Sequence, residues 1–266
     1  MATPRRAIDI ANYTTIPTPQ QVACLLNNGW STCVVGCSYG NIAHLQLRMC
    51  AQYGMKVEAY AWITHPFSYG PIDKALGVIE GLPVKRIWLD AEADTNGRTP
   101  QQVVSDIDAA INYTRSRRPD LAIGIYTANW WWGPRTGSST KFKDYPLWLA
   151  NYVPDPTPDK VPLFGGWTKA ALWQYAGTVE TCGLNTDRNL ILETEPVPIP
   201  PPTPTYEEDE MRLFWCLEEV KLYLVGGFGA VWVTKGDEAD SLRKQLGPES
   251  AVHVETINAI KVAAAQ

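Results

Sequence analysis

Short apolar runs alternate with amphipathic stretches along residues 1–195, the pattern of successive strand and helix units around a parallel sheet. Eight runs read as strands: Ala7–Ala11, Thr32–Gly36, Lys56–Trp62, Arg86–Glu92, Ala122–Thr127, Leu147–Asn151, Ala171–Tyr175 and Asn189–Leu192. Helical periodicity fills the first gaps at Pro19–Asn28, Ile42–Tyr53, Ile72–Glu80 and Pro100–Arg117, the last with Thr99 as its N-cap, and the later gaps lack it. A complete eight-helix barrel takes roughly 250 residues. The pattern therefore predicts an α/β barrel that drops its last helices and closes with plain strands. A doubly wound open sheet competes with it, but no GxGxxG or P-loop follows any strand.

The pattern breaks at EPVPIPPPTPTYEEDE, residues 195–210, where prolines at 196, 198, 200, 201, 202 and 204 enforce an extended spacer. The predicted division is a barrel over 1–195, a Pro-rich linker over 196–205 and a small accessory domain over 206–266. The accessory domain reads as β-rich: MRLFWCL, VKLYLVGG and GAVWVT around a glycine turn, then helical EADSLRKQL and a short VHV. Charge changes at the same place. Residues 1–195 hold 17 Lys+Arg and 17 Asp+Glu, and residues 196–266 hold 6 and 11, which supplies the whole net charge of -5. Nothing in the second unit distinguishes wall binding from self-association as a homo-oligomer.

That balance leaves no basic footprint for nucleic acid, and no stretch approaches the roughly 18–20 apolar residues of a membrane span. The start, MATPRRAIDIANY, lacks the apolar run of a secretory signal, which predicts synthesis in the cytoplasm. Six cysteines (24, 33, 37, 50, 182 and 216) form no CxxC pair, and His44, His65 and His253 stand far apart. The expectation is thiols that are mostly reduced and buried, with no zinc, no other metal and no cofactor. Eleven Trp and twelve Tyr against five Phe suit flat apolar surfaces with a polar handle, which stack on sugars as readily as they pack a core.

The sharpest chemistry is IWLDAEAD, residues 87–94. Residues two apart share a strand face, so Trp88, Asp90 and Glu92 point one way and Ile87, Leu89 and Ala91 the other. At about 7 Å between backbones, one carboxylate raises the other's pKa and keeps an acid protonated near neutrality, as glycosidic cleavage requires. The same spacing alone also fits a solvated turn or a metal-binding acidic loop. Asp9 is buried between Ile8 and Ile10 on the first strand, and Asp187 sits beside the last. In a closed barrel these four acids meet at one mouth, as a catalytic arrangement or a divalent-metal site. Asp106, on the predicted helix 100–117, reads as a surface acid.

AIDIANY, AYAWITHP, WLDAEAD, GIYTANWWW, PLWLANY and ALWQYAGTVETCGLNTDRN, in this order, resemble the motifs of glycoside hydrolase family 25, the Chalaropsis-type lysozymes of phage endolysins and bacterial autolysins. The resemblance spans almost all of residues 7–192. It implies an incomplete barrel of five βα units followed by three strands, and hydrolysis of the β-1,4 bond between N-acetylmuramic acid and N-acetylglucosamine in bacterial peptidoglycan. It further implies Glu92 as proton donor, Asp90 as the partner that stabilises the reacting centre or orients the acetamido group, and Asp9 and Asp187 as supporting acids. Tyr60, Trp62, Tyr126, Trp148, Trp173 and Tyr175 become the residues that stack on sugars or close the cup. GCSYGN after the second strand, and Trp62-Ile63-Thr64-His65 after the third, depart from the family's usual loops, which implies an altered glycan preference. The setting this suggests is a phage endolysin that is made in the host cytoplasm and reaches the wall after membrane permeabilisation. The alternative is a non-catalytic glycan-binding or virion-associated structural protein on a degenerate barrel.

Overall fold

The computed structural model describes residues 5–39 and 41–193, together with the backbones of four strands between 212 and 252. Five βα units come first: β1 (Arg6–Ile10), α1 (Pro19–Asn27), β2 (Trp30–Gly36), α2 (Ala43–Gln52), β3 (Lys56–Trp62), α3 (Gly70–Val78), β4 (Arg86–Asp90), α4 (Pro100–Arg117), β5 (Ala122–Ala128) and α5 (Asn129–Thr136). Three strands then follow without an α-helix between them: β6 (Leu147–Ala150), β7 (Leu172–Thr181) and β8 (Leu184–Ile191). The eight strands close into a barrel in sequence order. Strands β1 to β7 run parallel, and β8 pairs antiparallel with both β7 and β1. This is the incomplete α/β barrel that the strand pattern predicts.

Local chemistry sets the helix starts. Thr18 and Thr99 each accept the backbone N–H of the glutamine three residues on, and each glutamine side chain accepts the threonine N–H in return, ahead of Pro19 and Pro100. Helix α5 occupies a gap where the pattern predicts none. NWWWGPRT carries Gly133 and Pro134 inside the helix, so propensity argues against it. Burial of Trp131 and Trp132, and Gly137 in the left-handed region as C-cap, outweigh that.

Side chains on alternate strand positions build two layers. Ile8, Ile10, Val35, Ala59, Ile87, Leu89, Ile125 and Leu149 face outward into the core shared with the helices. Ala7, Val34, Trp88, Tyr126, Trp148 and Leu172 fill the barrel itself. Two glycines make room for the large interior rings: a Cβ on Gly124 would lie 2.3 Å from the Trp88 indole, and one on Gly36 2.5 Å from the Tyr60 phenol. The end opposite the mouth is sealed by charge. Arg86 donates twice to Glu193, at 2.6 and 3.1 Å, and the Trp88 indole N–H donates to Glu58 at 2.6 Å.

One cysteine expectation is corrected. Cys24 on α1 and Cys182 at the tip of the β7–β8 hairpin form a disulfide, while Cys33, Cys37 and Cys50 are buried free thiols as expected. The two bonded residues lie 158 positions apart in sequence, and only the fold of the hairpin against α1 brings their Cα atoms to 5.9 Å.

The chain divides into two compact units, Met1–Pro201 and Pro202–Gln266. The second holds a four-stranded sheet of β9 (Arg212–Cys216), β10 (Lys221–Gly226), β11 (Gly229–Val233) and β12 (Ser250–Val252), in the order β11-β10-β9-β12 with β12 parallel to β9. The predicted linker 196–205 and the helical EADSLRKQL lie outside the described residues. Among the described residues no helix is long and apolar enough to cross a membrane.

Candidate active site

Strand parity places the acids. On β1, Ala7 and Asp9 point into the barrel while Ile8 and Ile10 pack outward. On β4, Trp88 lies in the barrel core and Asp90, two residues on, ends the strand at the mouth, 5% exposed. Glu92 follows in the β4–α4 loop rather than on the strand, and is half-buried. Asp187 lies within β8, not beside it, directly across from Asp9. Because β8 runs antiparallel to its neighbours, its early residues are the ones that reach the mouth.

A connected set of side-chain amides holds this group. Asn189 Nδ2 donates to Asp9 at 2.7 Å, and its Oδ1 accepts the Trp148 indole N–H at 2.7 Å. Gln174 Nε2 lies 3.2 and 3.1 Å from the two Asp9 oxygens and 3.1 Å from an Asp187 oxygen. Its Oε1 accepts the hydroxyls of Tyr126 at 2.9 Å and Tyr152 at 3.2 Å. The second Asp187 oxygen accepts the Thr178 N–H at 2.7 Å. Asp90 Oδ1 is buried without a hydrogen-bond partner among the described residues.

The electrostatics favour bound protons. Burial, then the Asp187 and Glu92 charges, push Asp9 up to about 7 against the pull of Asn189 and Gln174. Burial, then Glu92 and Asp9, hold Asp90 well above the usual carboxylate range. Glu92 is raised by burial and then by Asp187. Asp187 is raised by burial and eased down by the Thr178 N–H. The mouth thus joins a half-buried acid whose pKa is raised to a buried carboxyl with an unpartnered oxygen, an arrangement with the chemistry to give a proton and to accept a hydrogen bond.

Four of the six expected aromatic residues belong to the barrel interior or its rim. Tyr60 lines the interior with its ring 6.0 Å from Trp148, and the charges of Asp9 and Asp90 both reach its hydroxyl. Tyr126 packs edge to face on Trp148 at 4.5 Å. Trp148 is 1% exposed, so it is the floor beneath the acids and not a stacking surface. Trp62 pairs in register with Asp90 and meets the exposed Tyr39 edge-on at 5.9 Å.

Trp173 and Tyr175 are corrections. Leu172 and Gln174 take the inward positions of β7, so Trp173 and Tyr175 pack against the outer core, with the Trp173 indole N–H donating to the Asn151 carbonyl. Asp106 is also a correction: it is 5% exposed and bound by Arg98 and His65. Gln174, Asn189 and Tyr152 join the acids' hydrogen-bond network and Tyr39 meets Trp62 at the rim, although the motifs and loop that contain them do not single them out. For Gln174 the available signal is a lone amide at an inward position of the apolar run LWQYA, and for Asn189 its place two residues after Asp187, on the same face of β8. Among the described residues no group of three or more His, Cys, Asp or Glu could hold a metal ion.

Comparison with known proteins follows the same lines. Residues 36–184 match the family model for glycosyl hydrolases family 25, a span that includes Asp90 and Glu92 and stops short of Asp9 and Asp187. A Dictyostelium discoideum protein named "Probable GH family 25 lysozyme 3" is 27% identical over 207 residues, covering 71% of this chain and 41% of the relative. A Caenorhabditis elegans protein named "Lysozyme-like protein 7" is 25% identical, with 70% and 71% covered. The chain spans less than half the length of the first Dictyostelium relatives that it matches, 41%, 31% and 48% of them. In fold, a family GH25 lysozyme from Aspergillus fumigatus superposes with a TM-score of 0.58 at 20% identity, over 73% of this chain and 96% of that one. A muramidase from Trichobolus zukalii gives 0.58 at 19%, over 71% and 94%.

Proposed function

The chain belongs to glycosyl hydrolases family 25, and from that premise we propose that it is a muramidase cleaving the β-1,4 bond between N-acetylmuramic acid and N-acetylglucosamine in bacterial peptidoglycan. The observation that carries the reading is the pair at the end of β4: half-buried Glu92 with its pKa raised, next to buried Asp90 with an unpartnered oxygen.

In this reading Glu92 gives its proton to the glycosidic oxygen as the bond from that oxygen to the anomeric carbon breaks. Water supplies the hydroxyl to the anomeric carbon, and its remaining proton restores the acid. Asp90 Oδ1 accepts the substrate's acetamido N–H, or faces the positive charge that develops at the anomeric carbon. Asp9 and Asp187 act at one remove, the negative charge of Asp187 favouring the protonated form of Glu92 and that of Asp9 the protonated form of Asp90. Tyr60, Tyr126 and Trp62, with Tyr39 and Tyr152, form the wall that a sugar ring meets.

The narrower setting we propose is phage-driven lysis of a bacterial host, with synthesis in the host cytoplasm and access to the wall once the membrane is permeabilised. The Cys24–Cys182 bond supports action on the wall side, where oxidising conditions preserve it. Lysis of producing cells only on addition of a membrane-permeabilising agent is the expected result.

The deciding experiment is incubation of purified protein with peptidoglycan, followed by identification of the new reducing end. A muramic acid reducing end is expected. A glucosamine reducing end, or no new end with intact binding, would replace this reading with a different glycosidase or a binding protein.

A further inference from the structure

Glu92 belongs to no strand, so something else must hold it. The loop that carries it, residues 91–98, is fixed at both flanks of the acid. Ala91 donates its N–H to the Tyr126 carbonyl at 2.9 Å, and its own carbonyl accepts the Thr127 hydroxyl at 2.8 Å. On the other side, the Ala93 carbonyl accepts the indole N–H of Trp131, on α5, at 2.9 Å.

Trp131 is in turn stacked on His65, with ring centroids 5.7 Å apart and planes 27° from parallel. His65 is 1% exposed and donates from Nδ1 to Asp106 of α4 at 3.1 Å. Asp106 also binds Arg98, the last residue of the loop, with Nη2 donating to Oδ1 at 2.9 Å and Nε 2.6 Å from Oδ2. The His65 carbonyl accepts Asn96 Nδ2 at 2.6 Å, and Asn96 itself sits in the left-handed region with φ 49°. Five contacts from β5, α4, α5 and the β3–α3 loop thus converge on the eight residues that carry Glu92, with the exposed Asp94 two positions on.

Burying an imidazole, a carboxylate and a guanidinium together is costly unless each is paired. Here the pairs meet segment 91–98 at Ala93, Asn96 and Arg98. We infer that His65, Asp106, Arg98 and Trp131 are positioning residues that clamp segment 91–98 and thereby set the reach of Glu92 into the barrel mouth. This rests on the assignment of Glu92 as the acid and deepens it, by naming residues outside the cup on which turnover depends.

Trp131→Phe tests it, because it removes the N–H to Ala93 while leaving an aromatic ring, though a smaller one, beside His65. A displacement of about 1 Å at a reacting group costs on the order of 10²-fold. On soluble glycan fragments kcat is expected to fall by up to that factor with KM unchanged. In the Glu92→Gln background the same change should have no further effect on residual turnover, which a merely structural role would not produce. Hydrogen exchange of amides 91–98 should speed up in Trp131→Phe while exchange in the β-strands stays as it was. Unchanged exchange in the loop would overturn the clamp, as would full kcat in a variant whose exchange has risen. Asp106→Asn, read by the same measurements, decides the matter if Trp131→Phe does not fold. Should the unaltered protein lack muramidase activity, the fault lies with the proposed reaction, and exchange alone then decides the clamp.

Discussion

Asp9 and Asp187 stand opposite one another in the antiparallel pairing that closes the barrel, and a single amide nitrogen, Gln174 Nε2, hydrogen-bonds to both. Two buried or half-buried carboxyls facing each other repel, and each raises the cost of ionising its neighbours. The shared donor offsets part of that repulsion. It also orients the amide so that its oxygen is left for Tyr126 and Tyr152.

Gln174→Leu should therefore be more disruptive than its modest change in size suggests. It strips a donor from both acids and leaves the buried Tyr126 hydroxyl without its acceptor. Leaving a buried polar group unpaired costs about 1–3 kcal/mol, so a lower denaturant midpoint together with reduced turnover is expected. A variant as stable and as active as the parent would show that the amide is dispensable.

Glu92→Gln should abolish lysis with little change in melting temperature, since the side chain is half-buried and keeps its shape. Loss of a general acid costs about 10² to 10⁴ in rate. Asp108→Asn is the proper control, because Asp108 is a half-exposed helix residue that pairs with Lys141 and takes no part in the acid network. Assays of reducing-end release on both variants, beside thermal melts, separate lost chemistry from lost fold.

Asp187→Asn should move the pH profile. Negative charge on Asp187 raises the Glu92 pKa, second only to burial. A raised pKa keeps Glu92 protonated to higher pH, so activity that needs the acid form falls as pH rises through that pKa. Removing the charge lowers the pKa, and the alkaline limb of kcat/KM should shift to lower pH. An alkaline limb that stays in place would show that Asp187 does not set the protonation of Glu92.

Truncation after Glu195 should leave a folded and active barrel. All eight strands that close it end at Ile191, and Glu193, which binds Arg86, is retained. Hydrolysis of soluble fragments should be unchanged, and binding to intact walls weaker if the second unit is a wall-binding module. A change in mass by light scattering would assign it to self-association instead. Loss of cooperative unfolding in the 1–195 protein would contradict the independence of the barrel.

Some of this architecture is local and can be read from the chain. Lys56–Trp62 and Pro100–Arg117 are the observed β3 and α4 to the residue, because alternation and a Thr-Pro-Gln-Gln capping box are decided by neighbours within a few positions. The inward face of β4 follows from the same parity, which is why Trp88 and Asp90 fall where the pattern puts them. Parity alone did not say which face of β7 was inward, and Trp173 and Tyr175 lie on the outer one, since aromatic rings suit either side of a barrel strand. The reversal of β8, the pairing of Cys24 with Cys182, the burial of Asp106 and the clamp on Glu92 all join segments far apart in sequence. No local propensity encodes such contacts. They exist because closing the barrel forces those particular groups together, and the free energy of each depends on partners that the chain supplies only once it is folded.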